Sequence, residues 1–252
     1  MLNKRESDDK KLFDNIAVNY VKKDLTPYCR IARKLRLVQS LKGMKQPIKN
    51  ILEVGCGAGF SVKYLKGKFV NFTGVDYSEN LIKYAKKYNS YTGVNFECLN
   101  VNDFNPEIKF DVVLMIGVLH HMPEPEKVIK SLSRILNPDG IIVVNEPQAG
   151  NPLIGLLRKI RKKIDDNYST DQVEFTEDEI NSIFKKCGHE TKTFAQGVLS
   201  TPLAESRILP GFIGIPLVWI AVILDPIIEK LLSILFLKKL TWNIVVHARR
   251  KE

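Results

Sequence analysis

Short apolar runs alternate with helical segments through the middle of the chain. Five such runs follow Pro47, and each is short enough for one strand. They are Ile51 to Val54, Phe72 to Val75, Val94 to Leu99, Phe110 to Met115 and Ile141 to Val144. Two later strands are expected from about Glu190 to Ala195 and from Trp242 to Ala248. Strands that alternate with helices predict a largely parallel, doubly wound α/β sheet.

Helix signals flank these runs. Thr176 and Glu179 form a capping-box pattern that opens a helix ending near Gly188. A second helix lies between Pro125 and the run 137–140, which should break the helix and turn the chain into the next strand. Two amphipathic helices are predicted before the first strand, on the apolar positions Phe13, Ile16, Ala17 and Tyr20 and the positions Tyr28, Ile31, Leu35 and Val38. Residues 46–252 should therefore form one domain behind a helical segment, residues 1–45.

An apolar insertion, residues 203–238, precedes the final strand. Its first part, from Ile208 to Leu224, carries no charged residue. A single membrane span would leave the last strand across the bilayer from its sheet, so the chain must return. We expect a helical hairpin that breaks at Asp225-Pro226 and enters a membrane from one side. The alternative is a soluble cap over the active site or a dimer interface.

A basic segment, residues 153–164, also favours contact with a membrane. Five apolar residues can share one helix face while five basic residues surround it. These are Leu153, Ile154, Leu157, Ile160 and Ile164, and Arg158, Lys159, Arg161, Lys162 and Lys163. A solvated helix face is the simpler interpretation. However, basic amphipathic helices bind anionic membranes, and the formal net charge of +10 favours an anionic partner.

The composition indicates a globular protein. The chain has 252 residues, of which 44% are apolar, enough for one sizeable core. The four cysteines are widely spaced and form no Cys-x-x-Cys pair, and the first residues contain no apolar signal segment. These features predict a reduced, cytoplasmic location, with the protein peripheral or monotopic at the membrane face. No cluster of His, Cys or acidic residues suggests a metal.

The segment LEVGCGAG predicts a ligand-binding turn. It places Gly55, Gly57 and Gly59 directly after a strand and before a helix, where side chains would block a closely approaching cofactor. Nicotinamide and flavin enzymes use a related G-x-G-x-x-G loop to bind a pyrophosphate. Here Phe60 replaces the last glycine and the acid Glu53 precedes the loop. This pattern suits a cofactor without phosphate but with a cationic amino acid end.

A second carboxylate supports the same site. In GVDYS, Asp76 ends the next apolar strand and is followed by Tyr77. Its distance from the glycine loop matches that at which a carboxylate accepts both ribose hydroxyls of a nucleoside. The simpler alternative for Asp76 is a carboxylate at a helix N-terminus.

Five segments in a fixed order carry a resemblance to a known family. They are LEVGCGAG, GVDYSENLI, FECLNVNDF, FDVVLMIGVLHHMPEP and ILNPDGIIVVNEP. Together they resemble the class I S-adenosylmethionine-dependent methyltransferases, within them the subgroup with the ubiquinone and menaquinone C-methyltransferases. The likeness runs from about Phe13 to Ala195. It implies a Rossmann-like, seven-stranded mixed sheet whose last strand is antiparallel between its neighbours.

The resemblance also implies a set of cofactor contacts. The turn after the third strand would hold the adenine, and Asn100 stands there where many relatives have aspartate; an amide can still bind adenine. The end of the fourth strand would lie against the cofactor, and the N-terminal helices would supply a lid. The predicted S-adenosylmethionine site comprises Tyr20, Glu53, Gly55, Cys56, Gly57, Gly59, Asp76, Tyr77, Asn100, Val101, Asn102, Met115 and Ile116.

Methyl transfer from a sulfonium requires alignment and exclusion of water more than strong catalysis. A hydroxyl or an enolisable carbon as acceptor needs a base, and three residues are candidates: His120, His121 and Glu146. The alternatives are that the histidines cap the loop and that Glu146 is a surface turn acid.

The combined prediction is a methyltransferase for a small lipophilic or lipid-linked acceptor at a membrane surface. One alternative is a soluble enzyme for a polar metabolite, with the insertion as a cap or dimer interface; a homo-oligomer is compatible with either. A non-catalytic membrane adaptor and a nicotinamide oxidoreductase are remote alternatives. Nucleic acid is an unfavoured partner, because no Asn-Pro-Pro-aromatic motif follows the fourth strand and no Pro-Cys occurs.

Overall fold

A seven-stranded mixed sheet forms the centre of the protein in the computed structural model, which describes residues 4–149, 151, 155, 175–206 and 211–251. The strands are β1 (Ile48–Val54), β2 (Phe69–Asp76), β3 (Val94–Cys98), β4 (Phe110–Ile116), β5 (Leu136–Pro147), β6 (His189–Gln196) and β7 (Asn243–Arg250). Their order is β3-β2-β1-β4-β5-β7-β6. Strands β1 to β5 run parallel, and β7 pairs antiparallel with both β5 and β6. The predicted fold, including the antiparallel last strand, is confirmed.

Helices cover both faces of the sheet. The described ones, in chain order, are α1 (Lys4–Asp24), α2 (Pro27–Ser40), α3 (Ser61–Tyr64), α4 (Glu79–Tyr88), α5 (Pro125–Arg134), α6 (Glu177–Lys186), α7 (Ser200–Ser206) and α8 (Gly211–Ile234). Apolar residues of α5 and α6 pack on one face, and those of α2, α3 and α4 pack on the other. The predicted capping box of Thr176 and Glu179 is present at the start of α6. Apolar runs that are buried on both sides are typical of such a sheet.

One predicted turn is part of a strand. The run 137–140, expected to turn the chain between α5 and the following strand, lies within β5, which already begins at Leu136. A register shift between Phe110 and Val112 accommodates the extra residues. A Cβ on Gly140 would lie 2.9 Å from the Phe110 carbonyl oxygen, so glycine is needed where β4 and β5 approach. The proline and glycine therefore mark a bulge in the sheet.

The predicted hairpin in the apolar insertion is wrong. Helix α8 continues through Pro216 and Pro226 without a break, over 24 residues. Asp225 is buried and accepts hydrogen bonds from the backbone N–H groups of Leu199 (2.7 Å) and Ser200 (3.0 Å) at the start of α7. The carboxylate thus caps a neighbouring helix, so Asp225-Pro226 does not turn the chain.

Helix α8 buries only a narrow stripe. Its buried residues are Gly214, Val218, Ala221, Asp225 and Glu229, which recur at helical spacing. This stripe lies against α2, α7 and β6. The opposite side is apolar and exposed, as at Phe212 (79%), Ile223 (66%) and Ile227 (65%). By length and composition α8 could cross a membrane, although a single such helix is weak evidence that it does.

The predicted basic segment, residues 153–164, falls outside the described residues except for Gly155. Asn151, two residues before this segment, is described and is buried. The Asn151 side chain donates a hydrogen bond to the carbonyl oxygen of Leu240 at 2.7 Å. Leu240 ends a short 3-10 helix, Lys238–Leu240, that follows α8. Asn151 therefore lies beside the 3-10 helix that follows α8.

Candidate active site

A pocket opens at the carboxyl ends of β1, β2 and β4. Strand β1 pairs with β2 on one side and with β4 on the other, so the strand order reverses there, and ligands of doubly wound sheets bind at this point. Including its open mouth, the pocket encloses about 810 Å³. Ligand pockets of roughly 300–1,000 Å³ are usual, so a nucleoside-sized cofactor fits.

Helix α1 covers the pocket with one of its faces. Glu6, Phe13 and Tyr20 are spaced by two helical turns each, and all three line the pocket. The helix is fixed to the rim of the site by Asp14, whose Oδ1 accepts hydrogen bonds from the Ser78 hydroxyl (2.6 Å) and the Asn80 N–H (3.2 Å). The part of the chain predicted as a lid thus supplies walls of the pocket.

The three glycines of the loop serve different purposes. All have positive φ angles, between 52° and 71°. A Cβ on Gly55 would overlap the Val118 side chain, and one on Gly59 would lie 2.5 Å from the Phe96 ring. A Cβ on Gly57 would meet no atom closer than 3.9 Å. Contrary to expectation, packing of the protein itself requires Gly55 and Gly59, and only Gly57 leaves room for a ligand.

Glu53 is a buried acid with an unsatisfied oxygen. Its Oε1 accepts a hydrogen bond from the Ser61 hydroxyl at 2.6 Å, while Oε2 has no hydrogen-bond partner among the described residues. Burial raises the pKa of Glu53 to about 8, although the Ser61 bond and the charge of Arg33 oppose this. A cationic ligand group would supply the missing partner and favour the ionised carboxylate. The residue fits the ammonium end of an amino acid cofactor.

Asp76 ends β2 and lines the pocket. Its Oδ2 accepts from the Gly57 N–H and its Oδ1 from the Ser78 N–H, each at 2.9 Å. Burial raises its pKa, and these two hydrogen bonds oppose the rise. An ionised carboxylate has about four acceptor positions, so Asp76 keeps acceptor capacity for a ribose hydroxyl.

The turn after β3 forms another wall of the pocket. Asn100, Val101 and Asn102 all line it. The Asn100 Oδ1 accepts from the Asn102 N–H at 2.9 Å, and its Nδ2 donates to Glu6 at 3.2 Å. Asn100 therefore holds the turn and connects it to α1, with apolar Leu99 beside it. A flat, partly polar base fits between such groups.

Most of the predicted cofactor residues meet at this pocket. Those that line it are Tyr20, Gly55, Gly57, Asp76, Tyr77, Asn100, Val101, Asn102 and Ile116. Three others lie outside it: Cys56 and Met115 are buried in the two core clusters, and Gly59 packs against Phe96. Glu53 does not line the pocket either; it is buried within β1.

Sequence reasoning missed several pocket residues. Glu6 on α1, and Val118, Met122 and Pro123 after β4, all line the pocket. The spacing of Glu6 from Phe13 and Tyr20 is a helical signal that could have identified it. Val118 precedes the 3-10 turn Leu119–His121, and Met122 and Pro123 follow it; the sequence carries no clear pattern for this turn.

Glu146 is fully buried and holds the turn after β4. Its Oε1 accepts from the N–H groups of Val118 (2.8 Å) and Leu119 (2.7 Å), and its Oε2 lies 2.5 Å from Nδ1 of His120. Burial alone would raise the pKa of Glu146, but His120 and these hydrogen bonds outweigh it and lower the pKa. Neither His120 nor Glu146 lines the pocket described here. Glu146 is thus an internal cap, not a surface acid.

His121 is the candidate base that reaches the pocket. Its Nδ1 lies 3.2 Å from Oδ2 of Asp9 on α1, and its ring meets Phe13 edge-to-face with centroids 5.3 Å apart. Burial lowers the pKa of His121, and the bond to Asp9 opposes this. Burial therefore favours the neutral imidazole, which is the form that can accept a proton.

Known proteins share this fold. A "Methyltransferase domain" family model matches residues 52–142. A possible histamine N-methyltransferase of Thermotoga maritima superposes with a TM-score of 0.64 at 21% identity, over 96% of this chain and 99% of its own. Magnesium protoporphyrin IX methyltransferase from Synechocystis PCC 6803, bound to S-adenosylhomocysteine, gives 0.61 at 13% identity, over 97% and 99%. The fold is that of a class I methyltransferase. The resemblance to class I methyltransferases is therefore confirmed for the fold and for the matched domain.

Curated proteins match this chain in sequence over a shorter stretch. A ubiquinone biosynthesis O-methyltransferase of Coxiella burnetii is 32% identical over 107 residues, which are 40% of this chain and 46% of the relative. The enzyme with the same name from Bradyrhizobium diazoefficiens is 30% identical over 120 residues, 46% of each chain. The chain thus spans about half the length of the curated relatives it matches.

Proposed function

We propose that this protein is an S-adenosylmethionine-dependent methyltransferase. The observation that carries the proposal is the pair of carboxylates at the sheet's switch point: Asp76, which lines the pocket and keeps acceptor capacity, and Glu53 with an unpaired buried oxygen. These suit a ligand with a ribose at one end and an ammonium at the other. Neighbours of the same fold hold S-adenosylhomocysteine.

The bound cofactor supplies a methyl group already activated by a sulfonium. Asp76 would bind the ribose hydroxyls, the turn 100–102 the adenine, and Glu53 the ammonium group. Apolar side chains such as Phe13 and Ile116 line the pocket and exclude water, which favours an in-line displacement. The chain's main contribution is to align donor and acceptor.

The acceptor in this proposal is a small lipophilic molecule reached from a membrane surface. Helix α8 lies along the protein from Gly214 to Glu229, which favours an orientation parallel to the bilayer. Both acids of the helix, Asp225 and Glu229, face the protein, and the charged residue on its exposed side is Lys230. An apolar helix face without acids suits an anionic bilayer.

Three further observations support binding to a membrane and a lipophilic acceptor. Lys238 and Lys239 follow α8, and Asn151, two residues before the predicted basic segment, donates a hydrogen bond to the neighbouring Leu240. None of the described α8 residues lines the pocket, which disfavours α8 as a cap over the cofactor. The relatives named as ubiquinone biosynthesis O-methyltransferases support a lipophilic acceptor with a hydroxyl. The proposed location is the cytoplasmic face of the membrane.

One experiment tests binding and transfer together. Vesicles made from the source organism's lipid extract are incubated with the protein and S-adenosylmethionine labelled in its methyl group, then floated on a density gradient. We expect the wild type to float and to label the lipid phase. Ile223→Asp with Ile227→Asp should weaken vesicle binding by at least about a hundredfold, because burying each isoleucine contributes roughly 1.5–3 kcal/mol.

The matched control is Val70→Asp with Ile108→Asp, which adds the same charge at exposed apolar positions away from α8. Equal flotation of both double variants would contradict the role of α8. A wild type that stays in solution as a stable dimer would instead identify the exposed face as an interface between two copies.

A further inference from the structure

We infer that Asp9 and His121 form a base whose two parts come from different elements of the fold. His121 belongs to the 3-10 turn Leu119–His121 after β4, and Asp9 belongs to α1, which covers the pocket. This inference rests on the proposed function, and it specifies an acceptor with an ionisable hydroxyl.

The geometry is that of an oriented imidazole. The hydrogen bond between His121 Nδ1 and Asp9 Oδ2 occupies one ring nitrogen. No hydrogen bond from Nε2 to another described residue is present, so this nitrogen is available to a ligand in the pocket that His121 lines. A carboxylate on Nδ1 fixes the tautomer in which Nε2 accepts a proton.

Burial makes the pair more than a surface contact. The side chains of His121 and Asp9 are 13% and 10% exposed. Phe13 contacts the imidazole ring edge-to-face on the α1 side, and the His120 ring lies 4.1 Å away, centroid to centroid. Asp9 is not needed to fix α1, since Asp14 and Glu6 already connect that helix to the rim. We therefore assign Asp9 a separate role, which is to orient His121.

The charged groups around His121 act in opposite directions. Asp9 and the more distant Glu146 favour the protonated imidazole, while burial and His120 disfavour it. Arg5 of α1 is also near, donating from its guanidinium to the His120 carbonyl oxygen at 2.8 Å. Burial thus favours the neutral form of His121, and the Asp9 carboxylate lies where it would stabilise the imidazolium.

In the proposed step, His121 takes the proton of the acceptor while the acceptor takes the methyl group. The acceptor's O–H proton moves to Nε2 of His121 while its oxygen forms a bond to the methyl carbon. The carbon–sulfur bond breaks, and its electron pair stays on sulfur, giving S-adenosylhomocysteine. The imidazolium, stabilised by Asp9, then loses its proton to water. Because Asp9 comes from α1, the base is complete only when that helix lies over the pocket.

The test compares Asp9→Asn with Asp8→Asn, an exposed neighbour on the same helix. In the complex with S-adenosylhomocysteine, nuclear magnetic resonance follows the titration of the His121 ring among the chain's four histidines. We expect Asp9→Asn to weaken proton binding by His121 about tenfold, because a neighbouring carboxylate favours the imidazolium. Asp8→Asn should leave it unchanged.

The same variants are assayed for transfer of labelled methyl groups into the lipid extract between pH 5 and pH 9. For Asp9→Asn we expect a tenfold to hundredfold lower rate on the plateau, and an acid limb displaced to lower pH. Asp9→Glu should restore part of the rate. Retained S-adenosylhomocysteine affinity with an unmoved His121 titration and acid limb would overturn this inference alone. Failure of the wild type to bind S-adenosylhomocysteine would instead overturn the proposed function.

Discussion

Asp76→Asn is expected to weaken S-adenosylmethionine binding by about a hundredfold or more. The carboxylate accepts from the N–H groups of Gly57 and Ser78 and keeps acceptor capacity for the ribose. Each hydrogen bond from a hydroxyl to a charged acceptor contributes about 1.5–3 kcal/mol, and a tenfold change in affinity corresponds to about 1.4 kcal/mol. An amide replaces one acceptor oxygen by a donor and removes the charge. Isothermal titration calorimetry measures the loss.

Asp139→Asn is the control for this variant, since Asp139 is exposed and lies at the opposite end of the sheet. It should bind the cofactor like the wild type. Burial raises the pKa of Asp76, so wild-type affinity should also weaken as the pH falls towards that pKa. An affinity of Asp76→Asn within threefold of the wild type would show that Asp76 does not bind the ribose.

Glu146→Ala should have the largest effect on folding. The variant leaves the N–H groups of Val118 and Leu119 buried without acceptors and removes the partner of His120. Breaking such a buried charged network typically costs about 3–5 kcal/mol of unfolding free energy. Glu146→Gln keeps one acceptor oxygen and should cost less. Chemical denaturation followed by circular dichroism measures both.

Glu146 should make the stability of the folded protein depend on pH. Its pKa is lower in the folded protein than in the unfolded chain, so it contributes stability above the unfolded value. That contribution is lost as the pH falls through the lower, folded value. The control is Glu124→Ala, which removes an exposed acid paired with Lys127 at 3.4 Å and should change stability by under about 1 kcal/mol. A stable Glu146→Ala protein would show that the turn does not depend on this cap.

The sheet could be predicted because its signals are local. Each central strand is a short apolar run, and the capping box of α6 is a contiguous pattern. The position of β7 between β5 and β6 came from the resemblance instead, since strand order depends on contacts between distant residues. Interpreting the run 137–140 failed because proline and glycine mark bulges as well as turns.

The structure of the apolar insertion could not be predicted from local signals. A proline usually breaks a helix, yet α8 continues through Pro226. Asp225 instead accepts hydrogen bonds from Leu199 and Ser200, which are distant in sequence. The roles of the catalytic candidates were equally non-local. Glu146 is an internal cap because of the turn after β4, and His121 reaches the pocket together with Asp9 from the N-terminal helix.

A crystal structure with S-adenosylhomocysteine would show where the cofactor binds. We expect the ligand in the pocket under α1, with its ribose on Asp76, its adenine against residues 100–102 and its ammonium group near Glu53. The free Oε2 of Glu53 should then have a partner. A ligand bound elsewhere, or bound with its ribose away from Asp76, would contradict the assignment of this pocket as the cofactor site.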